Sequence, residues 1–218
     1  MEPTQSQTRA APLARSGTRG LLAGGTTGNE LLTTVTGAVL IVLLAVIGVT
    51  ILRLGPLLSV HMFVGLVLIG PLALKLASTG YRFTRYYTGN PHYRGKGAPP
   101  TPLRLIAPVV VISTVVVMAS GIALLIGGPQ SRGTFFLIHK ASFFVWVAFT
   151  SLHILGHLPD LWKGLRADYG PAMRWGGAPD GRAGRVLSLA SALTLGVVIA
   201  ILFLPQFGLW LHAHLHHH

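Results

Sequence analysis

The stretch FFLIHKASFFVWVAFTSLHILGH, residues 135–157, decides the fold of this chain. It contains one lysine, Lys140, and no arginine, aspartate or glutamate. A helix needs about 20 predominantly apolar residues to cross about 30 Å of bilayer hydrocarbon, and this stretch is long enough. It therefore predicts a membrane-spanning helix that carries three histidines, His139, His153 and His157.

Four other stretches have similar length and apolarity, so the sequence predicts an all-α integral membrane protein with five transmembrane helices. The predicted spans, numbered one to five along the chain, cover residues 30–52, 56–79, 105–128, 134–158 and 186–206. The linkers are either very short or polar and rich in Gly and Pro, which leaves no room for a soluble domain. Residues 1–28 are predicted to be a disordered tail, and residues 207–218 form a His-rich tail.

The composition agrees with a bilayer environment, because 51% of residues are hydrophobic and only 10% are charged, against about a quarter in soluble domains. A formal net charge of +12 is compatible with nucleic-acid binding, but the basic residues cluster between apolar runs and so indicate membrane orientation instead. We expect no nucleic-acid partner. The chain has no cysteine, which excludes disulfides, iron–sulfur clusters and covalently attached c-type haem.

Lysine and arginine are distributed unevenly on the two sides of the predicted membrane. The tail 1–28 and the loops 80–104 and 159–185 together carry thirteen, against only Arg53 and Arg132 on the other side. The positive-inside rule then places the N-terminus in the cytoplasm and the C-terminus outside a bacterial-type plasma membrane. Spans two and four run in the same direction, so residues early in both lie at equal depth.

His61 near the start of span two and His139 near the start of span four are thus predicted to lie at one depth. An ionisable residue in the bilayer is costly and marks a functional site by default. A single histidine there is equally well explained as a hydrogen-bond donor between helices. Several histidines on two parallel spans favour a metal centre, and we predict that His61 and His139 ligate the iron of a haem b.

A second level is predicted fourteen residues further along both spans, about 21 Å away along the helix axis and within about 40° on the same face. Span four carries His153 there, but span two carries Lys75. One haem is therefore predicted at the outer level, and a second at the inner level only if His153 finds a partner. Lys75 either snorkels, pairs with a haem propionate, or ligates iron as a neutral amine.

Three other residues near these levels are candidates for supporting roles. Lys140 follows His139 directly and is a candidate partner for outer haem propionates. Arg82, in the run GYRFTRYYTG, belongs either to an interfacial aromatic and basic belt or to a propionate or quinone contact. His157 lies just before Pro159 and is expected to cap the end of span four.

The segments HMFVGLVLIG, residues 61–70, and FFLIHKASFFVWVAFTSLHILGH resemble the bacterial b-type membrane cytochromes, the group of cytochrome b561, hydrogenase cytochrome b and ferric-reductase transmembrane domains. The resemblance implies an up-down haem-binding four-helix bundle with one extra helix. It also implies electron transfer for a partner redox protein or a quinone, as a component of an oxidoreductase. His61, His139 and His153 match the ligand positions of the group, whereas Lys75 departs from them.

The sequence is also compatible with other functions. The intramembrane histidines and the terminal WLHAHLHHH are also compatible with binding or transport of Zn²⁺ or Cu ions, although spans two to five contain no aspartate or glutamate to balance a divalent ion. A non-redox membrane anchor with basic loops is a further possibility. A zinc protease is disfavoured because the His153–His157 pair lacks the glutamate that acts as general base.

Overall fold

The computed structural model describes residues 25–95, 100–169 and 181–215, and this part of the chain is helical throughout. The helices are α1 Gly25–Leu52, α2 Leu54–Val67, α3 Ile69–Tyr87, α4 Pro91–Arg94, α5 Thr101–Gly127, α6 Arg132–Tyr169, α7 Arg182–Leu202 and α8 Leu204–Leu215. A short 3-10 helix, Pro129–Ser131, precedes α6. Of the two predicted tails, residues 1–24 and 216–218 lie outside the described residues. Residues 25–28 belong to α1, and residues 207–215 belong to α8.

Five helical segments are long and apolar enough to cross a membrane, which confirms the predicted fold class. They are Gly25–Leu52, Leu54–Tyr87, Thr101–Gly127, Pro129–Arg166 and Arg182–Leu202. We keep the names span one to span five for them, so that span two comprises α2 and α3. The chain is a multi-pass membrane protein by length and apolarity of these helices.

Spans two and four are longer than predicted. Span two continues to Tyr87, and α6 runs through Pro159 to Tyr169. The prediction that span four ends at residue 158 is therefore wrong, and so is the prediction that His157 caps a helix end. A proline inside a helix removes one backbone hydrogen bond. Beyond Pro159, still within α6, the Arg166 guanidinium makes a cation–π contact with Trp162, 4.5 Å from the ring centre.

Span two is divided at Leu68, shortly before the fully buried Pro71. Because proline has no N–H, Pro71 cannot bond the carbonyl of Val67 four residues earlier. That carbonyl faces Gly196 of span five, where a Cβ atom would clash with it. A Cβ on Gly70 would likewise clash with the Ala192 carbonyl. The two glycines thus allow spans two and five to cross in direct backbone contact.

Span one occupies a central position in the bundle. It packs against both halves of span two and against spans four and five, while span three packs mainly on span four. Spans two and four make no extensive direct contact in the described part of the chain. A buried apolar cluster at the α2–α8 end includes Leu66, Val67 and Phe207. The packing therefore holds the two histidine-bearing spans in place through their neighbours.

Candidate functional site

His61 is held by a hydroxyl group of span one. Its Nδ1 atom lies 2.9 Å from the Oγ1 of Thr50, a residue that is almost completely buried. The Thr50 hydroxyl donates its own hydrogen to the carbonyl of Ile47 at 2.6 Å. Oγ1 must therefore accept from the Nδ1–H of His61, and the lone pair of this imidazole lies on Nε2.

His139 is held in a similar way by span three. Its Nδ1 lies 2.9 Å from the carbonyl oxygen of Val117 and 3.1 Å from the Ser120 Oγ. A carbonyl only accepts, so Nδ1 carries the hydrogen and Nε2 again has the lone pair. A Cβ on Gly121 would lie 3.0 Å from the ring, so the glycine makes room for this imidazole.

The two imidazoles have the same tautomer and are also close in space. They lie close enough for a charge on His139 to act on His61, although they belong to spans that pack mainly on other neighbours. No hydrogen bond to either Nε2 is found within the described residues. We call this pair the His61 level. Two neutral nitrogen donors with anchored rings are a suitable ligand set for an iron centre, while ligation itself stays a prediction.

The face of α2 that carries His61 also adjoins open space. Gly65 lies one helical turn from His61 on the same face, and no atom lies within 4 Å of the position that its Cβ would take. Protein zinc sites need three or four ligands. No group of three or more His, Asp or Glu side chains with metal-binding geometry occurs among residues whose placement is described.

Lys75 and His153 occupy a second level, which we call the Lys75 level. Lys75 is near enough to His153 and His157 for a weak electrostatic influence, although spans two and four do not pack extensively on each other in the described part of the chain. The Lys75 ammonium donates to the Thr33 carbonyl of span one at 2.7 Å. It is therefore hydrogen-bonded inside the bundle, with no ion pair in the described part of the chain.

The histidines of the Lys75 level differ from those of the His61 level. The Nδ1 of His153 is buried and has no hydrogen-bond partner within the described structure. The His153 and His157 rings meet edge to face, with centres 4.7 Å apart, and His157 Nδ1 lies 3.7 Å from a carboxylate oxygen of Asp160. Among the described residues, no hydroxyl or carbonyl group bonds this Nδ1 and fixes the tautomer of His153.

The remaining predicted residues, Lys140 and Arg82, make no hydrogen bond to His61 or His139 among the described residues. Lys140 is exposed on α6 and has no hydrogen bond or ion pair with other described residues. Arg82 is partly buried in α3, and its charge acts on His157.

Thr50, Ser120 and the Val117 carbonyl were not predicted as part of the site. A signal for the two hydroxyl residues exists in the sequence, since each interrupts a strongly apolar run of a predicted span. Their partners were not predictable, because a backbone-bonded Ser or Thr is common in transmembrane helices.

No protein-family model matches this chain, and comparisons with curated proteins and with solved structures likewise found no match.

Proposed function

We propose that this chain is a b-type membrane cytochrome that holds haem b between His61 and His139 and passes electrons for a partner redox protein or a membrane quinone. The single observation that carries the proposal is the His61 level. Two imidazoles from different spans lie near each other and each donates Nδ1–H to a protein acceptor, while neither Nε2 has a hydrogen-bond partner among the described residues.

The contribution of the protein follows from those hydrogen bonds. Thr50 and the Val117 carbonyl hold each ring in one tautomer and orientation, and an acceptor on Nδ1–H makes Nε2 a stronger donor toward a metal. Haem, when bound, supplies one-electron redox chemistry at its iron. His61 and His139 would hold the iron, and these ligands together with the apolar surroundings would set the potential of the haem.

The orientation belongs to the same proposal. The excess of basic residues places the N-terminus in the cytoplasm and the C-terminus outside a plasma membrane. The His61 level then lies toward the outer leaflet and the Lys75 level toward the cytoplasm. Electrons would enter or leave the protein on different sides of the bilayer.

The absorption spectrum of the purified chain tests the proposal. We expect a red preparation with a Soret band, a sharp α band after dithionite reduction, and one haem per chain in a pyridine haemochrome assay. A colourless preparation that binds stoichiometric zinc would contradict the proposal and favour the metal-ion alternative. Expression with supplemented haem precursor keeps cofactor supply from limiting the result.

Replacing Thr50 with valine is expected to weaken haem binding about 10- to 100-fold, because His61 loses the acceptor that fixes its tautomer. Thr50 is a positioning residue, so its loss should also change the midpoint potential and the low-spin electron paramagnetic resonance signal. Thr50→Ser keeps the hydroxyl and should restore both. Identical potentials and spectra in Thr50→Val and wild type would show that Thr50 has only a packing role.

A further inference from the structure

Span two ends in a basic and aromatic segment, residues 81–87, that is followed by a sharp turn. Gly89 has a φ of +86°, a backbone conformation that favours glycine. The Asn90 side chain accepts a hydrogen bond from the backbone N–H of His92 at 3.2 Å, and the Asn90 N–H donates to the Arg85 carbonyl at 3.1 Å. The turn therefore folds α4 back against the end of α3.

The turn brings a tyrosine of α4 onto a tyrosine of α3. The Tyr81 and Tyr93 rings meet edge to face, with centres 6.0 Å apart and planes at 84°. The Arg85 guanidinium lies 5.9 Å from the centre of the Tyr81 ring, within the range of a cation–π contact. Arg82 lies three residues before Arg85 on α3 and is therefore its neighbour on the helix surface. We call Tyr81, Arg82, Arg85 and Tyr93 the arginine–tyrosine corner.

The positive charge of this corner is not balanced by the protein. Arg85 is exposed and Arg82 is partly buried, and neither forms an ion pair with a carboxylate in the described part of the chain. Arg104 at the same end of the bundle differs, because it donates to the Tyr87 hydroxyl at 3.1 Å. Guanidinium groups bind phosphate oxygens through parallel, charge-assisted hydrogen bonds. The corner therefore favours a phosphate-bearing anion.

The position of the corner on a membrane-spanning helix restricts the kind of anion. The neighbouring Phe83 is 63% exposed, as expected of an aromatic side chain at the membrane interface. Toward the middle of span two, Ala77 and Gly80 are exposed, and no atom lies within 4 Å of the position that a Cβ on Gly80 would take. An open strip of small residues thus leads from the arginines to the apolar part of the span, where an acyl chain can lie.

We infer that the arginine–tyrosine corner binds the phosphodiester headgroup of an anionic phospholipid, whose acyl chain lies along Ala77 and Gly80. The phosphate oxygens accept hydrogen bonds from the two guanidinium groups, and the phenol hydroxyls are additional donors. Arg82 then belongs to the membrane interface and not to a propionate or quinone contact. The site contains neither proposed haem ligand, so its test is independent of the proposed function.

A phosphatidylglycerol probe with a photoreactive diazirine tests the inference on the full-length chain in phosphatidylcholine nanodiscs. We expect light to attach the probe to peptides within residues 77–94, and excess unlabelled phosphatidylglycerol to prevent the labelling. Arg82→Gln and Arg85→Gln should each reduce labelling about fivefold, because each removes a charged donor to phosphate. Arg85→Lys keeps the charge but not the planar guanidinium, so it should label more than Arg85→Gln.

Arg132→Gln is the matched control for the loss of one arginine. Arg132 also makes a cation–π contact, 5.3 Å from the centre of the Phe136 ring, but it lies at the opposite end of the spans. The variant should label like wild type. A diazirine phosphatidylcholine probe, which has the same acyl chains and no net charge, should label residues 77–94 less than the phosphatidylglycerol probe does.

Several results would overturn the inference. Label on the wild-type protein that maps outside residues 77–94, for example to α6 near Lys163 and Arg166, does so without any variant. Equal labelling of the corner by both probes would show that the site does not select an anionic headgroup. An equal loss in Arg132→Gln would mean that overall charge alone attracts the lipid, and protection by inorganic phosphate would identify a site for soluble phosphate instead.

Discussion

Alanine at His61 or at His139 is expected to abolish haem binding, with each variant retaining less than about a tenth of the wild-type haem. Each substitution removes one of the two proposed iron ligands. It also leaves the acceptor that held the ring, Thr50 or the Val117 carbonyl, without its donor. Pyridine haemochrome content and the dithionite-reduced spectrum, measured on preparations matched for protein, give the result.

Two further histidines provide matched controls for this experiment. His92 lies in α4, outside the five spans, and His157 lies in α6 beside Asp160. His92→Ala and His157→Ala should keep the full haem content. An unchanged low-spin spectrum in either His61→Ala or His139→Ala would contradict the assignment of that residue as a ligand.

Leucine at Gly196 is expected to prevent correct packing of span five on span two. A Cβ atom at this position would clash with the Val67 backbone carbonyl, which cannot move aside as a flexible side chain would. Overpacking in a tightly packed interior typically costs about 1–3 kcal/mol, and contact with backbone places this site at the upper end. Thermal unfolding in detergent and the elution profile in size-exclusion chromatography measure the loss.

Gly48→Leu is the appropriate control, since Gly48 is exposed in α1 and no atom lies within 4 Å of its Cβ position. It should unfold at the wild-type temperature. Gly70→Leu, whose side chain would meet the Ala192 carbonyl, should behave like Gly196→Leu. Wild-type stability in both clashing variants would show that spans two and five do not cross as described.

The number of membrane spans could be predicted from sequence because the bilayer restricts the backbone structures that can cross it. Backbone groups in hydrocarbon must be paired within the helix, so a long apolar run such as 105–128 predicts a span by itself. The helix ends were less predictable. Pro159 resembles a stop signal, yet α6 passes through it and continues to Tyr169.

Part of the candidate site followed from helical geometry alone. A step of fourteen residues returns to almost the same face, so helical geometry by itself predicts Lys75 and His153 as the counterparts of His61 and His139. The groups that hold His61 and His139 could not be derived in this way. They depend on which spans are neighbours: span one contacts span two, and span three contacts span four. The fit of side-chain shapes decides these contacts, and a single sequence does not reveal that fit.

The division of span two at Leu68 also has a mechanical consequence. α2, with His61, and α3, with Lys75, meet at Leu68, whose backbone stays helical, and Pro71 removes one hydrogen bond that would stiffen this junction. Both helices rest on span five, which carries no histidine or acidic residue of its own. A displacement of span five is therefore expected to act on both halves of span two at once.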